Sequence, residues 1–156
     1  MHSTNPNFTS PCPEVECRID RILEKLTLEE KIELLGGNTR SDKDGDTFGN
    51  ERAGIPPLKM ADGPMGVHWW TEASTTYPAS IATAASWDRD LLYRVGAAIG
   101  RDARARGIHI LLAPGVNIYR SALCGRNFEY LGEDPFLAGR LVVQYIRGCQ
   151  DQGVAA

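Results

Sequence analysis

Apolar positions in the first third of the chain follow helical spacing. Val15, Ile19, Ile22 and Leu26 recur at intervals of four, three and four, one face of a helix. Thr27 and Glu30 form a capping-box pattern that opens a second helix across Leu28 to Leu35. Gly36-Gly37 is expected to end it in the left-handed conformation that glycine tolerates. Leu58 to Ala61 reads as a short strand cut off by Asp62-Gly63-Pro64. A helix capped by Ser86 or Asp88 then carries Leu91, Val95, Ile99 and Ala103 at intervals of four and stops at Gly107. Ile108 to Leu112 is a nearly continuous apolar run, the pattern of a strand covered on both faces. Asp134 as cap and Pro135 at the first helical position open a last helix with Leu137, Leu141, Tyr145 and Cys149 on one stripe. Gly153 to Ala156 reads as the start of another strand.

Strands alternating with helices imply an α/β fold with a parallel sheet. Long loops follow the strands, and in such sheets function gathers at the strands' carboxyl ends. Residues 1–13, rich in Ser, Thr, Asn and Pro, are expected to be a flexible lead-in, and residues 14–156 the folded part.

Composition narrows the function classes. A chain of 156 residues with 42% hydrophobic and 24% charged residues is long enough for one core-bearing domain. A net charge of −3 without Lys/Arg clusters argues against nucleic acid and anionic membrane surfaces as partners. The apolar runs fall far short of the roughly 20 residues that span a bilayer. Residues 1–13 lack a basic start followed by an apolar stretch, so a cytoplasmic chain with reduced thiols is expected. Cys12 and Cys17, separated by four residues, have no second pair or nearby His to complete a zinc set. Asp42, Asp44 and Asp46 alternate, but the glycine and glutamate of a calcium loop are misplaced. A metal site is therefore not expected from these spacings. Dinucleotide and phosphate-loop fingerprints, a zinc-protease His pair and a nucleophile elbow are all absent from the sequence.

Three segments remain as candidates. Asp62 emerges where a buried strand ends; its carboxylate either grips two hydroxyls of a polyol or stabilises an Asp-Gly-Pro turn. Arg126 can fork onto neighbouring oxygens with Glu129 supporting it, or the two form a structural pair within a long loop. Trp69, Trp70 and Tyr77 supply either a platform for a sugar ring or packing that orders their loop. His109, inside a strand pattern, reads as a satisfied structural histidine.

Four stretches together are similar to a known family: Leu26 to Ile32, Ala61-Asp62-Gly63-Pro64, Tyr77-Pro78-Ala79-Ser80 with Ser86-Trp87-Asp88, and Leu112 to Pro135. The last contains Ala-Pro-Gly-Val-Asn-Ile-Tyr-Arg-Ser, Gly-Arg-Asn-Phe-Glu-Tyr and Glu-Asp-Pro. From about Ile19 onward the chain resembles the N-terminal part of glycoside hydrolase family 3, which contains many β-glucosidases. The resemblance implies a partial (β/α)8, TIM-type barrel with parallel strands, truncated before closure, since a full barrel takes about 250 residues. It implies retaining hydrolysis of terminal β-glucosidic bonds by two carboxylates without a cofactor.

By the resemblance, Asp62 and Arg126 bind the sugar in the −1 subsite and Glu129 supports Arg126. His68 stands where many members carry Arg, and bears on either sugar contacts or loop packing. Ala122 replaces a frequent proline. The family's Lys-His-Phe segment, nucleophilic aspartate and acid/base carboxylate have no counterpart in residues 1–156, so no catalytic residue is assigned here. The expectation is a portion of a β-glucosidase, inactive alone, that needs the remainder of the parent enzyme to bind a β-linked glucoside or oligosaccharide. The alternatives are a non-catalytic sugar-binding or assembly module, or a relative acting on β-xylosides or N-acetyl-β-glucosaminides.

Overall fold

The computed structural model describes residues 12–37, 46–68 and 73–156. Most of the lead-in, Asp42, Asp44, Trp69 and Trp70 lie outside the described residues. The chain folds as α1 (Pro13–Lys25), α2 (Leu28–Leu34), β1 (Met60–Asp62), α3 (Ser80–Ala84), α4 (Arg89–Ala105), β2 (Ile110–Leu112) and α5 (Pro135–Gln150), with 3₁₀ turns at Glu51–Ala53 and Asn127–Glu129.

The two strands pair in parallel, with Asp62 level with Leu112. Ala155 makes a parallel bridge to Ile110 beyond β2, closing Leu111 N–H to the Ala155 carbonyl at 2.8 Å. Of the expected third strand the structure shows this single bridge. Both strands show the same burial pattern: Ala61 and Leu111 are buried beneath the helices, while Leu112 on the opposite face is 49% exposed. The expectation that the second strand is covered on both faces is thus corrected. Helices α4 and α5 pack on one face of the sheet only.

That packing is made by glycine. A Cβ on Gly96 would meet the Tyr145 Cα at 2.9 Å, one on Gly100 the Cys149 Cα at 3.0 Å, and one on Gly148 the Ala97 nitrogen at 2.7 Å. Contact positions rise together along both helices, so α4 and α5 run parallel, as two successive crossovers between parallel strands require. The core beneath joins Ile99, Ala103, Ile108, Leu111, Tyr145, Cys149 and Val154. Burial among these raises the Cys149 thiol to about 11, so it stays protonated at neutral pH. A second cluster, Ala84, Leu92, Leu131, Ala138 and Leu141, ties α3 to the N-terminal halves of both helices.

Local signals place most helix ends. The Thr27 hydroxyl accepts from Glu30 N–H and the Glu30 carboxylate from Thr27 N–H, a complete capping box. Asp88 caps α4 by accepting from Asp90 and Leu91, and Asp134 caps α5 by accepting from Phe136. Gly107 closes α4 with φ +70°, as expected. Gly36 and Gly37 do not take the left-handed form; a tight last turn closes α2 instead, and Gly37 bridges to Thr47. Strand β1 lies two residues late, because Leu58 is bonded to Thr47 through both its N–H and its carbonyl. Five-residue α3 falls within the stretch expected to be loop.

The apolar stripe of α1 is left open: Val15, Ile19 and Leu23 are all more than 40% exposed, and Leu26 just past the helix is buried. An ion pair holds this end of the chain. Arg52 donates to both oxygens of Glu30 and, at 2.7 Å, to the Lys25 carbonyl. The guanidinium hydrogen bonds lower the Glu30 carboxyl from 4.5 to about 2. A lowered folded-state pKa adds stability that is complete above about 4.5 and lost as pH falls towards 2. A carbon-detected NMR titration should place the Glu30 carboxyl near the lower value, and Arg52→Gln should raise it towards 4.5, the Thr27 N–H still holding it below.

Two glycine substitutions probe the helix contact. Gly148→Ala should destabilise by roughly 1–3 kcal/mol or prevent folding, because its methyl must displace the backbone of α4. Gly139→Ala, on the same helix with open space around it, should stabilise by up to about 1 kcal/mol. Urea denaturation followed by circular dichroism separates the two outcomes.

Candidate functional site

Strand β1 delivers Asp62 to its carboxyl end, and the chain turns immediately. Gly63 is buried against Leu111, where an added Cβ would lie 3.0 Å from the Gly66 carbonyl. Gly66 has φ +120°, and a side chain there would collide with the Thr75 carbonyl and touch the Tyr77 ring. This tight fold brings His68 N–H to the Asp62 carbonyl at 2.7 Å. The α5 side chain Tyr145, buried to 4% exposure, donates to the Gly63 carbonyl at 3.3 Å.

Tyr77 resolves to a structural role. Its N–H donates to the Met65 carbonyl, its ring packs against the core, and its hydroxyl donates to Asp102 on α4 at 2.9 Å. Burial, followed by the Asp102 carboxylate, raises its phenol above the ordinary range. Arg106 donates to the Ala73 carbonyl at 3.1 Å, so α4 grips this loop at two points. His109 is likewise structural: its Nδ1 accepts from Lys59 N–H at 2.9 Å, just before β2 begins. Asp46, the described member of the alternating aspartates, accepts from Met60 N–H at 3.4 Å.

The second arm comes from the loop after β2. Tyr119 donates its hydroxyl to the Asn127 carbonyl and stacks edge-on against Tyr130, with ring centroids 6.3 Å apart. Asn117 donates to the Tyr130 hydroxyl, and Asn127 to the Ser121 carbonyl at 2.9 Å. Gly115 lies so close under this turn that a Cβ would stand 2.7 Å from the Glu129 carbonyl. The turn so clamped presents Arg126 and Glu129. Arg126 Nε donates to Glu129 Oε1; the carboxylate side chain is buried at 8% exposure, the guanidinium 71% exposed. A buried carboxylate thus anchors an arginine that still has donors facing solvent. Its pKa is raised by the Glu129 hydrogen bond first, with the Asp62 carboxylate contributing in the same sense. Asp62 and Arg126, 64 residues apart in sequence, share one electrostatic neighbourhood.

Both arms line a single cavity of about 460 Å³. Asp62, His68 and Glu129 border it, together with Ser74, Thr75, Thr76 and Phe128, which sequence reasoning did not single out. Neither spacing nor periodicity marks those four, because they lie on separate loops that become neighbours only in the folded chain. The wall offers carboxylate and carbonyl acceptors and hydroxyl groups beside an apolar ring, and Glu129 on it anchors the exposed Arg126, a set matched to a small polyhydroxylated ligand.

This geometry belongs to an α/β chain with a polar site at the carboxyl end of parallel strands. Residues 36–156 match the N-terminal domain of glycosyl hydrolase family 3, and the chain belongs to that family. It is 42% identical to beta-glucosidase BoGH3A of Bacteroides ovatus over 163 aligned positions, covering 97% of this chain and 21% of the relative. It is 44% identical to thermostable beta-glucosidase B of Acetivibrio thermocellus, covering 88% of this chain and 19% of that one. Among solved structures, beta-glucosidase 3B of Thermotoga neapolitana in complex with alpha-D-glucose superposes with a TM-score of 0.80 at 38% identity, over 88% of this chain and 22% of that chain. The chain therefore spans about a fifth of the length of the curated relatives it matches.

The clamp on the Arg126 turn can be tested alone. Tyr119→Phe removes the hydroxyl and nothing else. It should cost about 1 kcal/mol and speed amide exchange from 126 to 130 while leaving α4 protected. Unchanged exchange in that turn would show that Tyr119 does not hold it.

Proposed function

We propose that the chain supplies the N-terminal part of the catalytic barrel of a retaining β-glucosidase, with Asp62 and Arg126 gripping the sugar in the −1 subsite. The observation that carries this reading is that Asp62 and Glu129, the anchor of Arg126, border one cavity at the carboxyl ends of β1 and β2. Membership of glycosyl hydrolase family 3 and similarity to β-glucosidases support it. The barrel reading is supported by β1, β2 and the Ala155 bridge lying side by side in parallel, with a helix crossing between each.

In this account Asp62 is a binder. Its carboxylate accepts two sugar hydroxyls, Arg126 donates to a neighbouring oxygen, and Glu129 fixes the guanidinium's plane. His68 borders the same cavity. Retaining hydrolysis takes two carboxylates on opposite sides of the scissile bond. Both belong to the remainder of the parent enzyme, which also completes the sheet beyond β1 and Ala155. The chain alone binds and positions but does not cleave.

The 156-residue chain should therefore hydrolyse 4-nitrophenyl β-D-glucoside no faster than buffer. A chimera in which it replaces the matching fifth of the Acetivibrio thermocellus relative should hydrolyse it readily. In that chimera, Asp62→Asn removes charge from two hydroxyl contacts and should lower kcat/KM roughly 10²- to 10⁴-fold. An Asp62→Asn chimera as fast as its parent would overturn the assignment, as would hydrolysis by the isolated chain that Asp62→Ala abolishes.

A further inference from the structure

We propose a second site, for a tetrahedral oxyanion such as a phosphate or sulfate ester, on the seam between α4 and α5 away from the sugar cavity. A cavity of about 390 Å³ opens there, and three arginines line it: Arg89 at the start of α4, and Arg140 and Arg147 two turns apart on α5. Carboxylates are absent from its lining, although the chain as a whole carries three more acidic than basic residues. Among the described residues the ion pairs within 4.0 Å are Arg52–Glu30 and Arg126–Glu129, so none of these three arginines is neutralised. Arg140 instead lies over the Phe136 ring at 5.0 Å, which orients its fork without using its N–H donors. Gln144 adds an amide on the same wall.

The donor set decides the ligand class. Arginine donates and never accepts, so a neutral polyol, which needs acceptors as well, finds a poor match here. A single carboxylate offers two oxygens and occupies one fork. Three arginines lining one cavity supply more forks than one carboxylate fills, and phosphate and sulfate carry three or more oxygens on one centre. Asp88 and Asp90 border the adjoining depression that shares Arg89 and Gln144; Asp88 and Asp134 are engaged in capping α4 and α5, and Asp151 accepts from the Tyr93 hydroxyl. The volume is that of a small ligand's site, at the low end of the range for such cavities.

Titrating the ¹⁵N-labelled chain with inorganic phosphate, sulfate and acetate, each at one ionic strength held with potassium chloride, tests the proposal. Phosphate and sulfate should shift the 136–147 amides and the arginine Nε signals saturably, and acetate should not. Arg147→Gln and Arg89→Gln, both at exposed positions, should each weaken phosphate binding about tenfold or more, while Arg94→Gln leaves it unchanged. Glucose 6-phosphate and a sulfated monosaccharide as further arms distinguish the two ester sources. Equal shifts with acetate, or none beyond those of chloride, would overturn the site. So would phosphate binding that survives both arginine changes.

Discussion

The close approach of two helix backbones governs the arrangement. Gly96, Gly100 and Gly148 leave no side chain between α4 and α5, so the carbonyls and Cα atoms of one helix touch the other. Because both helices follow strands, their spacing sets where β1, β2 and the first residues beyond Val154 lie. The same contact fixes Tyr145, whose backbone meets Gly96 while its hydroxyl reaches under the sheet to Gly63. A packing constraint on the outer layer is thereby transmitted to the residue next to Asp62. Helix α4 acts a second time at its far end, where Asp102 and Arg106 hold Tyr77 and Ala73 and so shape the cavity's other wall.

The site is divided between a fixed and a clamped arm. Asp62 is positioned by the strand itself and by a turn that only glycine at 63 and 66 permits. Arg126 sits on an irregular loop, yet Tyr119, Asn117, Asn127 and Gly115 close that loop from within. Burying Glu129 gives the turn a charge that must remain paired, and the exposed guanidinium is the partner. Such an arrangement keeps Arg126 oriented with no ligand present, which lowers the ordering cost of binding.

Sequence carried the parts of this structure whose causes are local. Thr27 with Glu30, Asp88, and Asp134 before Pro135 mark helix starts because capping chemistry acts over three residues. The buried face of α4 was legible only in part. Its apolar period finds Ile99 and Ala103, which are buried, and Val95, which packs against them, but misses Leu92, Gly96, Ala97 and Gly100. Glycine in a helix contact has no hydrophobic signature, so periodicity cannot see it. The one-sided cover of β2 was equally invisible, since Ile-Leu-Leu reads the same whichever face is open. Asp62 and Arg126 were legible through family resemblance. Ser74, Thr75, Thr76 and Phe128 were not, because they join the cavity only through the tertiary fold.

The central claim is that two segments brought together by this packing hold one sugar. A crystal structure of the Acetivibrio thermocellus chimera soaked with glucose tests it most directly. The account predicts one pyranose ring with the Asp62 carboxylate accepting from two of its hydroxyls and Arg126 donating to an oxygen of the same ring. Glucose bound with either side chain turned away, or held without contact to the Gly63–Gly66 turn, would contradict it.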